Sequence, residues 1–365
     1  MAERGGSDQA LLQLVRSLPA EEFTSHVVVP GPSPLAEDFT QAGARLHVVP
    51  MRRLTRSAGL GYRLAYLLWW PVVVARLAAL VRSLGADVVH SNSLHSLYGW
   101  AAAAVCRRPH VWHAREIVVQ SSRALRLERA LARRFATVVI AMSESIADQL
   151  DRRNVRVMVQ TVDTSRFSPE RAGHFRARAG IGDDVPLVGF AGRIDTWKGL
   201  DVLLEAFPEV RRQVAGAELA VAGPSVAGKE GYAAALEREA AGLDGVHWLG
   251  PISDMPAFYA DLDVFAAPST EPEPFGLVLI EALASGVPVV STTGGGPAEI
   301  VARNPAAGRL VPPRDPAALA VALVDVLRRS PPRPGRHPLW DVPPPDFAAV
   351  FREVVAGGRR PAGRR

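Results

Sequence analysis

The sequence predicts an α/β protein of two domains, each a mostly parallel sheet covered on both faces by helices. Three observations predict it. The 365 residues, 48% hydrophobic and 22% charged, exceed one ordinary core and suit two. Short β-branched runs alternate with helix-like segments, the pattern of crossover-connected parallel strands. The alternation also comes in two series, separated from about residue 161 to 186 by a stretch rich in Ser, Pro, Gly and Asp that has no period and reads as an interdomain link.

In the first series the runs are HVVV from His26, LHVV from Leu46, DVVH from Asp87, HVWH from His110, TVVIAM from Thr137 and NVRVMV from Asn154. The most apolar stretch, Leu64 to Leu84, lies within it. Only the twelve residues between Arg63 and Arg76 are uncharged, against about 20 needed to cross a bilayer. A buried helix ending at Gly85 is expected. Trp69 and Trp70, close to Arg52, Arg53, Arg56 and Arg63, supply the second reading, a peripheral membrane surface. The second series runs PLVGFAG from Pro186, ELAVAG from Glu218, VHWLG from Val246, DVFAAPS from Asp263, VPVVST from Val287 and GRLV from Gly308. Pro331 to Pro345 is expected to be an extended connector, DFAAVFREVV from Asp346 one amphipathic helix, and AGGRRPAGRR a disordered end. The expected boundaries are therefore 1–165 for the first domain, 166–330 for the second, 331–356 for the connector and helix, and 357–365 for the tail.

Charge is unevenly spread. The net +5 combines +7 in residues 1–170, −8 in 171–327 and +6 in 328–365, which argues against a uniformly basic nucleic-acid coat. Only Lys198 and Lys229 among the 42 basic residues are lysines. The single cysteine, Cys106, excludes an intramolecular disulfide framework and a Cys-based zinc finger. MAERGGSDQALLQLV lacks the apolar core and cleavage site of a secretory signal, so cytoplasmic residence is expected, with peripheral contact at the inner face of the cell membrane as the variant.

Four segments of the second half carry chemistry. In GFAGRIDTWKG, Arg193 and Lys198 follow a strand and precede a helix, a placement that suits a diphosphate, although ordinary surface cations also occupy such turns. In APSTEPEPFGLVLIEALASGVPVVST, Glu273 lies in a Pro-rich loop and Gly276 opens a helix holding Glu281 just over one turn in. Helix-start amides from Phe275 to Leu277 would serve a phosphate beside a carboxylate for sugar hydroxyls. Glu281 is the only charge from Pro274 to Val290, so it is either paired in the core or binding a ligand hydroxyl. In STTGGGPAEIV, glycines 294 to 296 allow close backbone approach to a bound group. In WLGPISDMPAFYADLDVFAAPS, the DLD at 261–263 looks like a metal-binding Asp-x-Asp, but Asp263 reads as a local cap and no metal site is expected.

With these residues, the second half resembles the retaining family 4 glycosyltransferases of the GT-B fold: GRIDTWKG, the E-x7-E box EPFGLVLIE, ALASGVPVV and GGGPAEIV stand in the family's order and spacing. Milder matches extend it over nearly the whole chain, through GGSDQALLQLVRSL, DVVHSNSLHSLYGWAAA, HVWHAREIV, VVIAMSESIADQL and VDTSRFSP, while LWDVPPPDFAAVFREVV looks like the segment that crosses back to the first domain. The resemblance implies two Rossmann-like domains and metal-independent, cofactor-free transfer of a sugar from a UDP- or GDP-type donor, with retention, by a front-face mechanism. It implies that Arg193 and Lys198 hold the diphosphate, Glu273 the sugar, Glu281 the ribose, the backbone at Ile252 the base, and Gly6 a further donor contact. It also implies that His113 faces the sugar and an unidentified acceptor: a saccharide, a lipid-linked group or a small molecule. Two departures stand out. The family's first strand precedes the GG loop, where this sequence has only Met1 to Arg4, so a central strand of the first sheet is expected to be missing. Gln160-Thr161 replaces the family's Asn-Gly at the hinge. A non-catalytic nucleotide-sugar-binding partner or a truncated inactive homologue is the alternative. An epimerase or phosphorylase fits less well, the latter because its pyridoxal cofactor needs a lysine, and no Gly-x-Gly-x-x-Gly supports a dehydrogenase.

Overall fold

A computed structural model of the chain describes residues 6–52, 59–117, 122–150, 152–170, 173–329, 338–340 and 342–358. They form two compact units, one of residues up to Gln160 together with those from Pro345, the other of Thr161–Pro344. Most of the expected connector and tail lies outside the described residues.

All six expected strands of the first unit are present: β1 (His26–Val29), β2 (Arg45–Val48), β3 (Val89–Ser91), β4 (His110–Ala114), β5 (Val138–Ala141) and β6 (Val155–Val157). With them come α1 (Gly6–Ser17), α2 (Ala36–Gln41), α3 (Leu60–Ser83), α4 (Gly99–Cys106), α5 (Ser122–Phe135) and α6 (Glu144–Asp148). β4 and β5 are buried along their whole length, as suits central parallel strands, β5 as an unbroken apolar run and β4 with His110 and His113 buried among its apolar residues. The strands form two parallel sheets, β1-β2 and β3-β4-β5-β6. Between β1 and β3 lies a cavity of about 1550 Å³, lined by Val27, Val28 and Val29 on one side, Val88, Val89 and His90 on the other, and Leu11 and Leu14 of α1. No described strand fills it.

α3 ends where Gly85 takes φ +63°. Its inner side, Tyr66, Val73, Val74, Leu77 and Ala78, packs on Val49 and on Tyr98, Ala101 and Ala102. The expected wholly buried helix is corrected here: Leu60, Leu64, Leu67 and Leu68 are 76%, 53%, 64% and 78% exposed. The helix is apolar all round, and only one side meets protein.

The second unit begins with α7 (Phe175–Ala179), a helix inside the stretch expected to be a plain link. It then alternates β7 (Leu187–Ala191), α8 (Leu200–Gln213), β8 (Glu218–Ala222), α9 (Glu230–Ala241), β9 (Val246–Gly250), α10 (Met255–Ala260) and β10 (Val264–Ala267). α11 (Leu277–Ala284), β11 (Val289–Thr292), α12 (Gly296–Arg303), β12 (Gly308–Val311) and α13 (Pro316–Arg329) follow. Its single all-parallel sheet runs β12-β11-β10-β7-β8-β9. The strand order reverses between β7 and β10, and ligands of open α/β sheets bind beyond the carboxyl ends of the strands at that reversal. The last helix, α14 (Phe347–Gly358), belongs to the first unit, burying Phe347, Val350, Phe351 and Val354 against Leu14, Val111, Val138 and Ile140. It runs two residues past its expected end.

The structure also corrects the reading of the DLD. Asp261, not Asp263, is the cap: its Oδ2 accepts the N–H groups of Phe175 and Arg176 at 2.7 and 3.1 Å, starting α7. Asp263 instead pairs with the buried Arg176 at 2.8 Å and accepts the Leu187 N–H at 2.9 Å.

Candidate functional site

The segment after β7 is a turn closed by the Lys198 N–H on the Asp195 carbonyl at 2.9 Å. The Thr270 N–H, donated to the Trp197 carbonyl at 2.8 Å, ties it to the loop after β10. Gly199, at φ +69°, makes the contact possible, since a Cβ there would meet the Pro268 carbonyl oxygen at 1.9 Å. The two loops flank the point of strand reversal. Across it, Lys198 Nζ lies 2.6 Å from Glu273 Oε2, which also accepts the Ser269 hydroxyl at 3.2 Å. Lys198 further sits 4.1 Å from the centre of the Trp197 ring. The pair is about five-sixths buried, with side chains 16% and 17% exposed.

α11 starts just beside this pair. Gly276, at φ +102°, is its N-cap, and Phe275 before it is buried. Lys198, Ser269, Glu273, Gly276 and Pro297 line one small cavity of about 10 Å³, so the first turn of α11 adjoins the ion pair. The triple glycine packs against the loop that carries Glu273. A Cβ on Gly295 would meet the Glu273 carbonyl oxygen at 2.0 Å, and one on Gly296 would meet Phe275 backbone at 2.4 Å. Gly296 also donates its N–H to that Glu273 carbonyl at 2.9 Å. These two glycines seat the Glu273 loop itself.

Glu281, one turn into α11, accepts the Tyr259 hydroxyl at 3.0 Å. Burial pushes its carboxyl up to about 7, although the tyrosine hydrogen bond and Arg166 pull the other way. Burial, with the adjacent carboxylate, likewise raises Tyr259. An acid raised in the fold stabilises the fold below its unfolded value near 4.5 and withdraws that stability as pH rises through about 7. Urea unfolding of the wild type is therefore expected to weaken by up to about 3 kcal/mol over that window. Glu281→Gln is expected to flatten the dependence, and an unchanged slope would show that the carboxyl is not the titrating group.

Arg193, two residues after β7, is exposed. Ile252 is half-buried in the loop between β9 and α10. Gly6 opens α1 and His113 lies in β4, both in the first unit. His113 is buried, with Nδ1 3.3 Å from Arg115 Nη2 and its ring against His90 and Phe347 at 5.6 and 5.8 Å. Burial, with Arg115 and His90 adding to it, holds its imidazole neutral. Among the described residues no group of three or more His, Cys, Asp and Glu is placed to hold a metal ion.

Two features escaped the sequence. Lys229 pairs with Asp195 and reaches Thr196 Oγ1 at 3.2 Å, so both lysines of the chain converge on one turn. Burial works to raise Asp195, yet Lys229 and Thr196 bring it below its ordinary value. The second feature is a polar cluster at the ends of β3 and β4. Arg115 Nε meets Asn92 Oδ1 at 2.6 Å, and Glu116 accepts the Leu94 N–H at 3.1 Å and the Ser93 hydroxyl. The adjacency of Arg115 and Glu116 in HVWHAREIV was the available signal.

Comparison with known proteins agrees with this layout. The profile described as "Glycosyl transferases group 1" matches residues 185–329, and that of "Glycosyl transferase 4-like domain" matches residues 5–162. A GDP-mannose-dependent alpha-(1-6)-phosphatidylinositol monomannoside mannosyltransferase of Mycolicibacterium smegmatis is 35% identical over 46% of this chain and 45% of its own length. A D-inositol 3-phosphate glycosyltransferase of Salinispora tropica is 36% identical over 57% of this chain and 48% of its own. The chain thus spans about half the length of these curated relatives. Anabaena HepE, solved with UDP and glucose, superposes with a TM-score of 0.74 at 24% identity, covering 90% of this chain and 88% of that one, a likeness of fold.

Proposed function

Because the chain belongs to the group 1 glycosyltransferases, a family of the GT-B fold, we propose that it moves a sugar from a UDP- or GDP-type nucleotide sugar to an acceptor hydroxyl, without a metal and with retention, and that it works in the cytoplasm. The observation that carries the reading is the Lys198–Glu273 pair at the point of strand reversal, beside the start of α11. A diphosphate brings two or more negative charges, and the Lys198 ammonium and the start of α11 adjoin one cavity at that end of the sheet, with Arg193 in the same segment after β7. Lys198 would leave Glu273 for the diphosphate and stabilise the charge that grows on it as the glycosidic bond breaks. Glu273, released, would accept hydrogen bonds from sugar hydroxyls, while Glu281 with Tyr259 would receive the ribose and the Ile252 loop the base. Gly6 and His113 enter from the first unit by family resemblance alone. In a front-face reaction the departing diphosphate takes the acceptor proton, so no protein base is required.

The divided first sheet favours one second reading, a protein that binds the nucleotide sugar and does not turn it over. Calorimetric titration with UDP and GDP, paired with a radiolabelled transfer assay across acceptors, separates the two. Transfer insensitive to EDTA, giving an α-linked product from an α-linked donor, is the expected result. Tight nucleotide binding with no transfer to any acceptor supports the second reading, and no nucleotide binding at all rejects both.

A further inference from the structure

The apolar surface of α3 has two sides with different fates. The inner side is core. On the outer side Leu60, Leu64, Leu67, Leu68 and Val72 fall on one helical face, and each is more than a third exposed. Arg63 and Arg76 lie on opposite flanks of that stripe at 100° per residue. No acidic residue occurs anywhere in the helix. Two guanidinium groups lie over aromatic rings of the helix: Arg76 is 5.4 Å from the Trp69 ring and Arg52, before the helix, is 5.7 Å from the Tyr62 ring. The basic character continues across the neighbouring helices, which a chain of rings joins to α3, Trp70 to Trp100 at 6.0 Å and Trp100 to Phe135 of α5 at 4.3 Å. Between Arg52 and Arg134 the sequence holds 14 arginines and three acidic residues.

We propose that the outer face of α3 is a docking surface for an anionic lipid bilayer, with Leu60, Leu64, Leu67 and Leu68 at the acyl boundary and the flanking arginines on lipid phosphates. Arginine stems that reach past an apolar stripe to a charged plane suit a helix lying in the interface. A second copy is the poorer occupant. Face-to-face pairing would bring like-charged flanks together, whereas anionic headgroups neutralise them. A membrane span is poorer still, because one side of α3 is already committed to the core and charges bound its uncharged stretch at twelve residues. The proposal does not depend on the glycosyl-transfer reading.

Co-sedimentation of the full chain with phosphatidylcholine vesicles, with and without phosphatidylglycerol, tests it. Binding is expected on the anionic vesicles, much weaker on the neutral ones, and falling with added salt. Leu64→Glu with Leu68→Glu is expected to reduce binding at least about tenfold while circular dichroism and Tm stay at wild-type values, since both side chains point outward. Arg63→Ser with Arg76→Ser is expected to remove the preference for anionic vesicles. Undiminished binding by the double leucine variant overturns the proposal. So does a dimer in sedimentation velocity that the leucine variant dissolves while the wild type ignores both vesicles. Transfer to a soluble acceptor is expected to survive the leucine substitutions, so a dead transferase and a failed docking surface give different results.

Discussion

Glu273→Gln is expected to lower the rate of sugar transfer by about 10²–10³-fold, the scale of losing one preorganised electrostatic group at a reacting centre. The amide keeps the size and one acceptor oxygen, so what disappears is the charge. In the resting site that charge neutralises Lys198 at 2.6 Å in a position where both side chains are about five-sixths buried. Lys198→Ala is expected to be as severe by a different route. It leaves the Glu273 carboxylate with the Ser269 hydroxyl and removes the point cation from the diphosphate end of the sheet. Nucleotide affinity distinguishes the two roles: Lys198→Ala should weaken UDP or GDP binding strongly, whereas Glu273→Gln should leave it nearly unchanged, because the nucleotide lacks the sugar. Lys198→Arg should not restore transfer, since a planar fork cannot reproduce a compact ammonium packed on the Trp197 ring. Wild-type transfer in either the alanine or the glutamine variant would remove the pair from the reaction.

Much of the fold was legible in advance because parallel strands buried on both faces read as short β-branched runs, and all twelve runs are strands. What escaped depended on contacts distant in sequence. α7 is five residues long, too short for a period, and exists because Asp261, 86 residues away from Phe175, supplies its first hydrogen bond. α3 has no polar side, so nothing in its residues told which half would be covered. Within the site, Lys198 and Glu273 were legible as motif positions, but their direct pairing, the seating of the Glu273 loop by Gly295 and Gly296, and the Tyr259 partner of Glu281 all require three-dimensional proximity. The place of Lys229 was hidden for the same reason: its partner Asp195 lies 34 residues back, across the β7–β8 pair.

Arg176→Met is expected to destabilise the second unit by about 3–5 kcal/mol, the range for breaking one side of a buried ion pair. Arg176 is 3% exposed and its guanidinium is shared among four acceptors. Nε donates to the Asp261 carbonyl at 2.8 Å, Nη1 to the carbonyls of Gly182 and Val185 at 2.7 Å each, and Nη2 to Asp263 at 2.8 Å. Methionine replaces the stem but none of the donors, so three carbonyls and a carboxylate lose them at once. Lysine at this position should recover little, because one ammonium cannot reach acceptors spread around a planar fork. The effect should appear as a fall of roughly 10 °C in the unfolding transition of the second unit, given about 2–4 °C per kcal/mol at its size. Asp263→Asn should cost less, because an amide oxygen still accepts from Arg176 or from Leu187. The comparison bears on function as well as stability. If the Asp263 carboxylate is committed to Arg176, as its geometry has it, then removing the arginine frees that carboxylate alone, since Asp261 keeps the backbone N–H groups that start α7, and neither protein should bind a divalent cation at the DLD. Unchanged stability of the variant would mean that Asp263 is not held by Arg176 in solution, and cation binding by the wild type would mean that the DLD carboxylates are not committed as described.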